Sequence, residues 1–536
     1  MSQFPAAGDS RHVGLAPEML APHAVARWAK SHPDRLALRH LDGQTFTYAQ
    51  FDAGLKRWAA AFRRAGITPG DHVATLLPND FDAIFSWLGL GWLRAIEVPL
   101  NSALVGDLLA YGLNKSDAKA IVIAARFLDR LDALGDLPAL RNIIVIDSEK
   151  RSKRGLPCLT RAEFLDGVEP ATDLEGPSYR DIGALLFTSG TTGPSKAVRV
   201  PWATIYQMWS WVPADAVTEG EALFSALPLV HNSGKTGLNN AMARGATFVF
   251  RDRFNGSTFW DDVRKADCRA AAIVGPMTAY LNAQPERPDD ADNPLRAILC
   301  GPLIPELEQF KRRFGVKMAT CYGMTETGSI LTTGWDHGPW RTCGRPRLDY
   351  PWAEVRVVNE FDEPLGPGQV GELVARTAEP WALNAGYYNS PDKTAEAWRN
   401  GWFHTGDAVR YDEDGWFYLV DRMKDAIRRR GENISSFEVE NIVKDYPGVE
   451  ESAAIAVPAQ LGEDEVMIVI QTSEPEKFSP KALIEWLEPR MPRFMLPRYV
   501  EAMKSMPRNE TTLRVKKYEL KSRGVTPATW DRENPA

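Results

Sequence analysis

The 536-residue chain is too long for one compact core, and its length suits about three or four domains or subdomains. Apolar residues make up 44% and charged residues 25%, an ordinary soluble balance, and a formal net charge of −7 gives no electrostatic reason to expect nucleic acid or an anionic membrane as partner. Five cysteines (Cys158, Cys268, Cys300, Cys321 and Cys343) stand far apart with no CxxC pair, which suits buried thiols in a reducing compartment better than disulfides or zinc. The opening MSQFPAAGDSRHVGLAPEML lacks the apolar core of a signal peptide, and no apolar run approaches the ~20 residues of a membrane helix. A cytoplasmic enzyme or binding protein with no membrane partner is expected.

In chain order, HVATLLPND (residues 72–80) is a short apolar run closed by a turn, FDAIFSWLGLGWLRA (81–95) has helical spacing, and IEVPLN (96–101) is apolar again. AIVIAA (120–125) and NIIVID (142–147) repeat the strand signal. Strand–helix–strand alternation at this spacing predicts a layered α/β fold with mostly parallel sheets. QPERPDDADNPL (284–295) reads as a polar, Pro-rich surface loop. DEDGWFYLVDRMK (412–424) reads as a turn, a strand and a charged connector. Beyond it, FEVENIVKDY, ESAAIAVPA and EVMIVIQT give about a hundred residues their own αβ pattern, enough for a small α+β domain. The expected division is therefore a large multi-subdomain part, 1–423, and a small one, 424–536.

The chemistry concentrates in loops. In FTSGTTGPSK (187–196), Gly190 and Gly193 permit positive φ and close backbone approach, so successive N–H groups can converge on an anion. Thr188, Ser189, Thr191 and Thr192 add hydroxyl donors and Lys196 a point charge; together they suit a polyphosphate. This is not the Walker loop, because Leu229 stands where the first glycine before the SGKT of 233–236 would have to be. LPLVHNSG (227–234), CYGMTETG (321–328), WFHTGD (402–407) and YLVDRMKDAIRRRGENISSFEVE (418–440) follow in that order.

Five such stretches in this order and spacing resemble the adenylate-forming superfamily of acyl-CoA ligases, luciferases and peptide-synthetase adenylation domains, across roughly residues 32–520. The resemblance implies a large N-terminal domain that binds AMP and the acid, a small mobile C-terminal lid, and ATP (or AMP and acyl-AMP), CoA and Mg²⁺ as cofactors. A carboxylate attacks the α-phosphate of ATP to give acyl-AMP and pyrophosphate; a thiol then attacks the acyl carbonyl and expels AMP.

Residue by residue, the resemblance makes 188–196 the phosphate loop, with Ser195 and Ala197 replacing a usual proline and glycine. It places Thr325 at the α-phosphate, and Glu326 with Thr188 at Mg²⁺, a hard cation suited to carboxylate and phosphate oxygens. Gly301, Pro302, Tyr322, Gly323 and Met324 frame the nucleotide. Asp407 takes the ribose hydroxyls with Arg422 beside it, and Lys424 is the hinge. His231 is the gate between nucleotide, acid pocket and thiol channel, though a core histidine is the competing reading. Asn232, Gly234, Lys235 and Gly328 join His231 around the acid, and the small residues of TGSIL suit a bulky or cyclic acid. Arg430, Gly431, Glu432 and Asn433 line the CoA tunnel, where a side chain at Gly431 would narrow the path.

One stretch departs from the pattern. The family's adenylation lysine sits in P-R-T-x-x-G-K-[IV]; here Pro507, Arg508 and Asn509 are followed by ETTLRV. Ungapped alignment puts Leu513 at the lysine, and one inserted residue puts Arg514 there, ahead of Val515. Losing such a transition-state contact typically costs about 10²–10³ in rate. Arginine keeps the charge but not the compact ammonium. Two readings follow: a thioester-forming half-enzyme supplied with acyl-AMP by a separate adenylating enzyme, or a complete two-step ligase in which Arg514 serves as the catalytic cation. A stand-alone adenylation enzyme loading a carrier protein, a luciferase-like oxygenase and an inactive nucleotide-binding protein are the remaining classes.

Overall fold

The computed structural model describes residues 15–188, 195–304, 306–339, 341–347, 353–422, 427–429, 432–434, 436–458, 464–491, 493, 495–508 and 515–534. The strands expected from the apolar runs are present at His72–Leu76, Ile96–Pro99, Ala120–Ile123 and Asn142–Val145. All four lie in one seven-stranded sheet, in the order Cys158–Thr160, Asn142–Val145, Ala120–Ile123, His72–Leu76, Ile96–Pro99, Ile182–Thr188, Lys196–Pro201. Every pairing in it is parallel except the last, between Ile182–Thr188 and Lys196–Pro201. Helices cover parallel strands on both faces, so the strands are largely apolar rather than alternating, with Glu97 and Thr75 among the buried polar exceptions.

The second seven-stranded sheet runs Lys317–Ala319, Ala297–Gly301, Cys268–Val274, Ala222–Ser225, Thr247–Phe250, Leu36–His40, Thr45–Thr47, parallel but for its final pair. The Phe81–Trp92 helix is buried along its whole length and capped by Asp80, whose side chain accepts the Ala83 N–H. Trp87 on that helix stacks on Trp202 with ring centroids 5.6 Å apart. As expected, residues 284–295 carry no helix or strand. The fold is α/β with largely parallel sheets.

Two compact units emerge from the contacts. Among the described residues one takes 15–188, 195–355 and 375–403, and the other 356–374 and 404–534. The boundary expected at 423/424 falls in residues 423–426, outside the described residues. Within the second unit the strand Glu451–Pro458 pairs antiparallel with Asp464–Gln471, which runs parallel to Tyr499–Met503. The Ser436–Lys444 and Pro480–Leu487 helices supply Val439, Val443, Leu483 and Leu487 to that unit's core.

All five cysteines are free thiols. Burial pushes the Cys268 and Cys300 thiols up to about 12, so both are inert as nucleophiles. No helix among the described residues is long and apolar enough to cross a membrane.

Candidate active site

In open parallel sheets, ligands gather beyond the carboxyl ends of the strands. Thr188 stands at that end of Ile182–Thr188, and its register partner across the antiparallel pair is Lys196. The expected phosphate loop is thus the connection between two paired strands. Tyr111 holds its far end by donating to the Ser195 carbonyl at 2.8 Å.

Gly301 ends its own strand in the second sheet. A Cβ there would stand 3.7 Å from Thr320 Oγ1 and 3.9 Å from the Cys321 carbonyl, which places Gly301 and Pro302 against the CYGMTETG segment. That segment is a hairpin: Cys321–Met324 pairs antiparallel with Gly328–Thr332, and Met324 faces Gly328 across the turn. Thr327 holds the turn, since the Met324 N–H donates to its Oγ1 at 3.3 Å and its own N–H donates to the Met324 carbonyl at 3.2 Å. Thr325 and Glu326 are therefore presented side by side at the tip. Gly328 has φ +62°, and a Cβ there would lie 3.1 Å from Gln207 Cγ, so both conformation and space require glycine.

Glu326 is 4% exposed. Its Oε1 accepts from the Tyr387 hydroxyl at 3.2 Å, and its carbonyl accepts from both the backbone and side-chain nitrogens of Asn384 at 2.9 Å. The Lys196 ammonium sits 4.5 Å from the centroid of the Tyr387 ring. Lys196 and Glu326, expected at phosphate and metal, are thus joined through one side chain. Tyr387 and Asn384 belong to LNAGYYN, which the sequence reading passed over; an aromatic next to a glycine there carries no signal apart from core packing.

His231 stands at the N-cap position of the Asn232–Arg244 helix, with no capping bond from its side chain. Asn79 fixes the loop that leads to it, donating to the Leu227 carbonyl at 3.1 Å and accepting from the Leu229 N–H at 2.8 Å. Burial holds the His231 imidazole below its ordinary value, so it is neutral at pH 7. Asn232 follows as the first residue of the helix. Gly234 is buried against the preceding turn, where a Cβ would stand 2.2 Å from the Pro228 carbonyl oxygen. Lys235, expected at the acid, has its ammonium 2.5 Å from Glu97 Oε2 and 3.6 Å from the centroid of Trp87, with 2% exposure. Its charge is directed at the first sheet.

In the second unit, Asp407 on the Phe403–Tyr411 strand is the register partner of Arg422 on Phe417–Arg422, as their expected adjacency requires. Asp407 is 4% exposed, and its N–H donates to Thr405 Oγ1 at 3.1 Å. Glu372 braces the start of the same strand, accepting from the Gly406 N–H at 2.9 Å, with its other oxygen 2.9 Å from His404 Nδ1. Arg428 and Asn433, and Arg429 and Glu432, are register partners in a short hairpin. Arg430 and Gly431 between its strands lie outside the described residues, as do Ser189, Gly190, Thr191, Thr192, Gly193, Lys424, Leu513 and Arg514. The side chains of Arg422, Glu432 and Asn433 are likewise undescribed.

Residues 25–388 match the family described as AMP-binding enzyme, and residues 438–512 match the AMP-binding enzyme C-terminal domain. The chain belongs to the AMP-binding enzyme family. Within that family it is an acid–thiol ligase of the AMP-forming acyl-CoA synthetase type. A crotonobetaine/carnitine–CoA ligase of Salmonella heidelberg (strain SL476) is 31% identical over 479 residues, 87% of this chain and 91% of that one. The o-succinylbenzoate CoA synthetase of Bacillus subtilis, solved with its acyl-adenylate intermediate, superposes with a TM-score of 0.80 at 23% identity, covering 93% of this AMP-binding enzyme and 97% of that chain. The same synthetase solved with ATP and a magnesium ion gives a TM-score of 0.78 at 24% identity, covering 93% and 99%.

Among the described residues no group of three or more His, Cys, Asp or Glu side chains could hold a metal ion by itself. The buried Glu326 carboxylate and the Thr188 hydroxyl at the end of its strand are oxygen donors of the kind that Mg²⁺ takes. This ion keeps several waters and binds through one or two protein oxygens plus substrate phosphates.

Proposed function

We propose that this enzyme forms a CoA thioester from a carboxylic acid by way of acyl-AMP, with thioester formation its strong step and adenylation its weak one. The observation that carries the nucleotide part is the convergence of Lys196 and Glu326 on Tyr387, with Thr188 paired opposite Lys196. Lys196, Thr188 and the loop N–H groups receive the phosphates, Thr325 meets the α-phosphate, and Glu326 holds Mg²⁺. The ion, when bound, neutralises phosphate charge. Gly301, Pro302 and residues 322–324 frame the base, and Asp407 with Arg422 takes the ribose. His231, neutral, gates the acid beside Asn232 and Gly328. Residues 430–433 admit the thiol of CoA, whose sulfur attacks the acyl carbonyl as AMP leaves.

Residues 507–516 support a weak adenylation step. Arg508 and Val515 pair antiparallel, and the Lys516 N–H donates to the Pro507 carbonyl at 2.8 Å, so six residues lie between the paired ones. The two lysines that follow are engaged within their own unit. Lys516 meets Glu519 at 2.9 Å, while Lys517 meets Glu440 at 2.7 Å and donates to Ser436 Oγ at 2.6 Å. These pairings support the reading that neither is the bridging lysine. The position before the paired Val515 is Arg514, and the C-terminal family match ends at residue 512. The sequence order supports a second reading, a complete two-step ligase with Arg514 as the cation, because Arg514 directly precedes Val515 as the family's lysine precedes Val or Ile.

Pyrophosphate exchange into ATP with a panel of acids, run beside CoA consumption from synthetic acyl-AMP, separates the two. Fast thioester formation with exchange slower by about 10² supports the weak step. Exchange at a comparable rate establishes the complete ligase.

A further inference from the structure

Residues 385–388 run antiparallel beside the Lys196–Pro201 strand. The Ala385 N–H donates to the Arg199 carbonyl at 2.9 Å, the Arg199 N–H to the Gly386 carbonyl at 3.0 Å, and the Tyr388 N–H to the Ala197 carbonyl at 2.8 Å. Tyr387 faces Val198 in this pairing, and its N–H donates to Thr394 Oγ1 at 2.9 Å. One residue earlier than this run, Asn384 takes the Glu326 carbonyl with two donors. The segment is therefore fastened at one end to the strand that carries Lys196 and at the other to the turn that carries Glu326. Tyr387, 5% exposed, touches both functional side chains: its hydroxyl reaches the Glu326 carboxylate and its ring face lies under the Lys196 ammonium.

We propose that Tyr387 is a positioning residue for the phosphate and metal end of the site, its hydroxyl setting the Glu326 carboxylate and its ring holding the Lys196 ammonium. The proposal rests on the reading of Glu326 and Lys196 as metal and phosphate ligands. A hydroxyl donating to a carboxylate makes a directional, charge-assisted bond that fixes one oxygen and with it the plane of the group. The negative face of a buried aromatic ring attracts a cation, so the ring holds the Lys196 ammonium in place. Because one rigid ring does both, the two ligands keep a fixed mutual distance. A Mg²⁺–polyphosphate, whose metal and phosphate charges are themselves held a few ångströms apart, needs such a spacing. Core packing alone explains the burial of the ring but not the placement of its hydroxyl on Glu326.

The test is ATP binding, followed by calorimetry in the absence of any acid at graded Mg²⁺, for the parent, Y387F, Y387L and E326Q. Y387F keeps the ring and loses the donor. It should raise the Mg²⁺ needed for half-maximal ATP binding by about five- to tenfold while leaving metal-free AMP affinity at the parent value. Y387L should also weaken metal-free ATP binding by about threefold or more through loss of the ring under Lys196, a loss that Y387F does not show. Thermal melting checks each variant's fold, and if Y387L fails to fold, Y387F alone decides. An unshifted Mg²⁺ dependence in Y387F alongside a shift in E326Q overturns the role of Tyr387 and leaves the site reading standing. An unshifted dependence in E326Q removes Glu326 from the metal, and the proposal falls with it.

Discussion

The Lys235 ammonium lies 2.5 Å from Glu97 Oε2, with 2% and 3% of the two side chains exposed. Burial raises the Glu97 carboxyl and lowers the Lys235 ammonium, and each charge opposes the other's shift. Thr75 donates to the second oxygen of Glu97 at 3.1 Å, so the pair is anchored between the two central strands of the first sheet. Glu97→Gln leaves an unpaired buried ammonium and should cost about 3–5 kcal/mol. Replacing both partners, as Glu97→Leu with Lys235→Met, should recover most of that. Urea unfolding of the two variants is the check, and an equal loss in both refutes the pair's role.

Asp80 caps the Phe81–Trp92 helix from a half-buried position. Burial first, and the Asp82 charge second, push its carboxyl up to about 7 from an ordinary 3.8. The folded protein then holds this proton where the unfolded chain releases it. Its contribution to stability falls as pH rises from about 4 to 7 and stays low above that. Asp80→Asn keeps a capping oxygen for the Ala83 N–H and removes the titration. The variant should be more stable than the parent at pH 8, on the order of 2 kcal/mol, and indistinguishable near pH 4. Melting temperatures at the two pH values report it; a gain of equal size at both would rule out the shift.

Asp407→Ala should weaken AMP and acyl-AMP binding by roughly 2–4 kcal/mol, the scale of charge-assisted bonds to two hydroxyls. Calorimetric titration with AMP measures this directly. An unchanged affinity removes Asp407 from the ribose, and its pairing with Arg422 is then only a strand contact.

Gly328→Ala meets two obstacles, a backbone φ of +62° and a Cβ 3.1 Å from Gln207 Cγ. A loss of about 1–2 kcal/mol in stability is expected from the left-handed backbone alone. Because Gly328 sits at the proposed acid pocket, KM for the acid should rise while KM for ATP holds. The reverse pattern would move Gly328 out of the pocket.

Arg514→Lys, alone and combined with deletion of Leu513 and Thr512→Gly, tests whether geometry limits adenylation. Charge is already present, so any gain comes from a compact ammonium reaching both carboxylate and α-phosphate. Pyrophosphate exchange should rise by a factor on the order of 10² in the rebuilt variant. No gain, with thioester formation intact, means that Arg514 was not the limit.

Much of the first unit was legible because its strands are covered on both faces and read as unbroken apolar runs, as at Ala120–Ile123. The stretch 187–196 stood out as a candidate phosphate loop because anion binding needs glycine and hydroxyls in a row. What escaped depends on partners far along the chain. Nothing near Lys235 announces Glu97, 138 positions away, so a polar residue beside His231 reads as an acid-pocket residue. Tyr387 likewise acquires its meaning from Glu326, 61 positions back, and Glu372 from Gly406, 34 positions ahead. Lys516 and Lys517 likewise meet partners that no alignment of residues 507–515 announces, Glu519 for the first and Glu440 and Ser436 for the second.

The pairing of Thr188 with Lys196 separates two kinds of tolerance that sit within a few residues of each other. A residue added between them lengthens a connection whose ends stay fixed, so Lys196 keeps its face of the sheet. A residue added just after Lys196 shifts the strand by one, and each position then changes face. Arg199, exposed, would replace one of the buried side chains of Val198 and Val200. An insertion before Lys196 therefore leaves the strand in register, and one in the five residues that follow it does not.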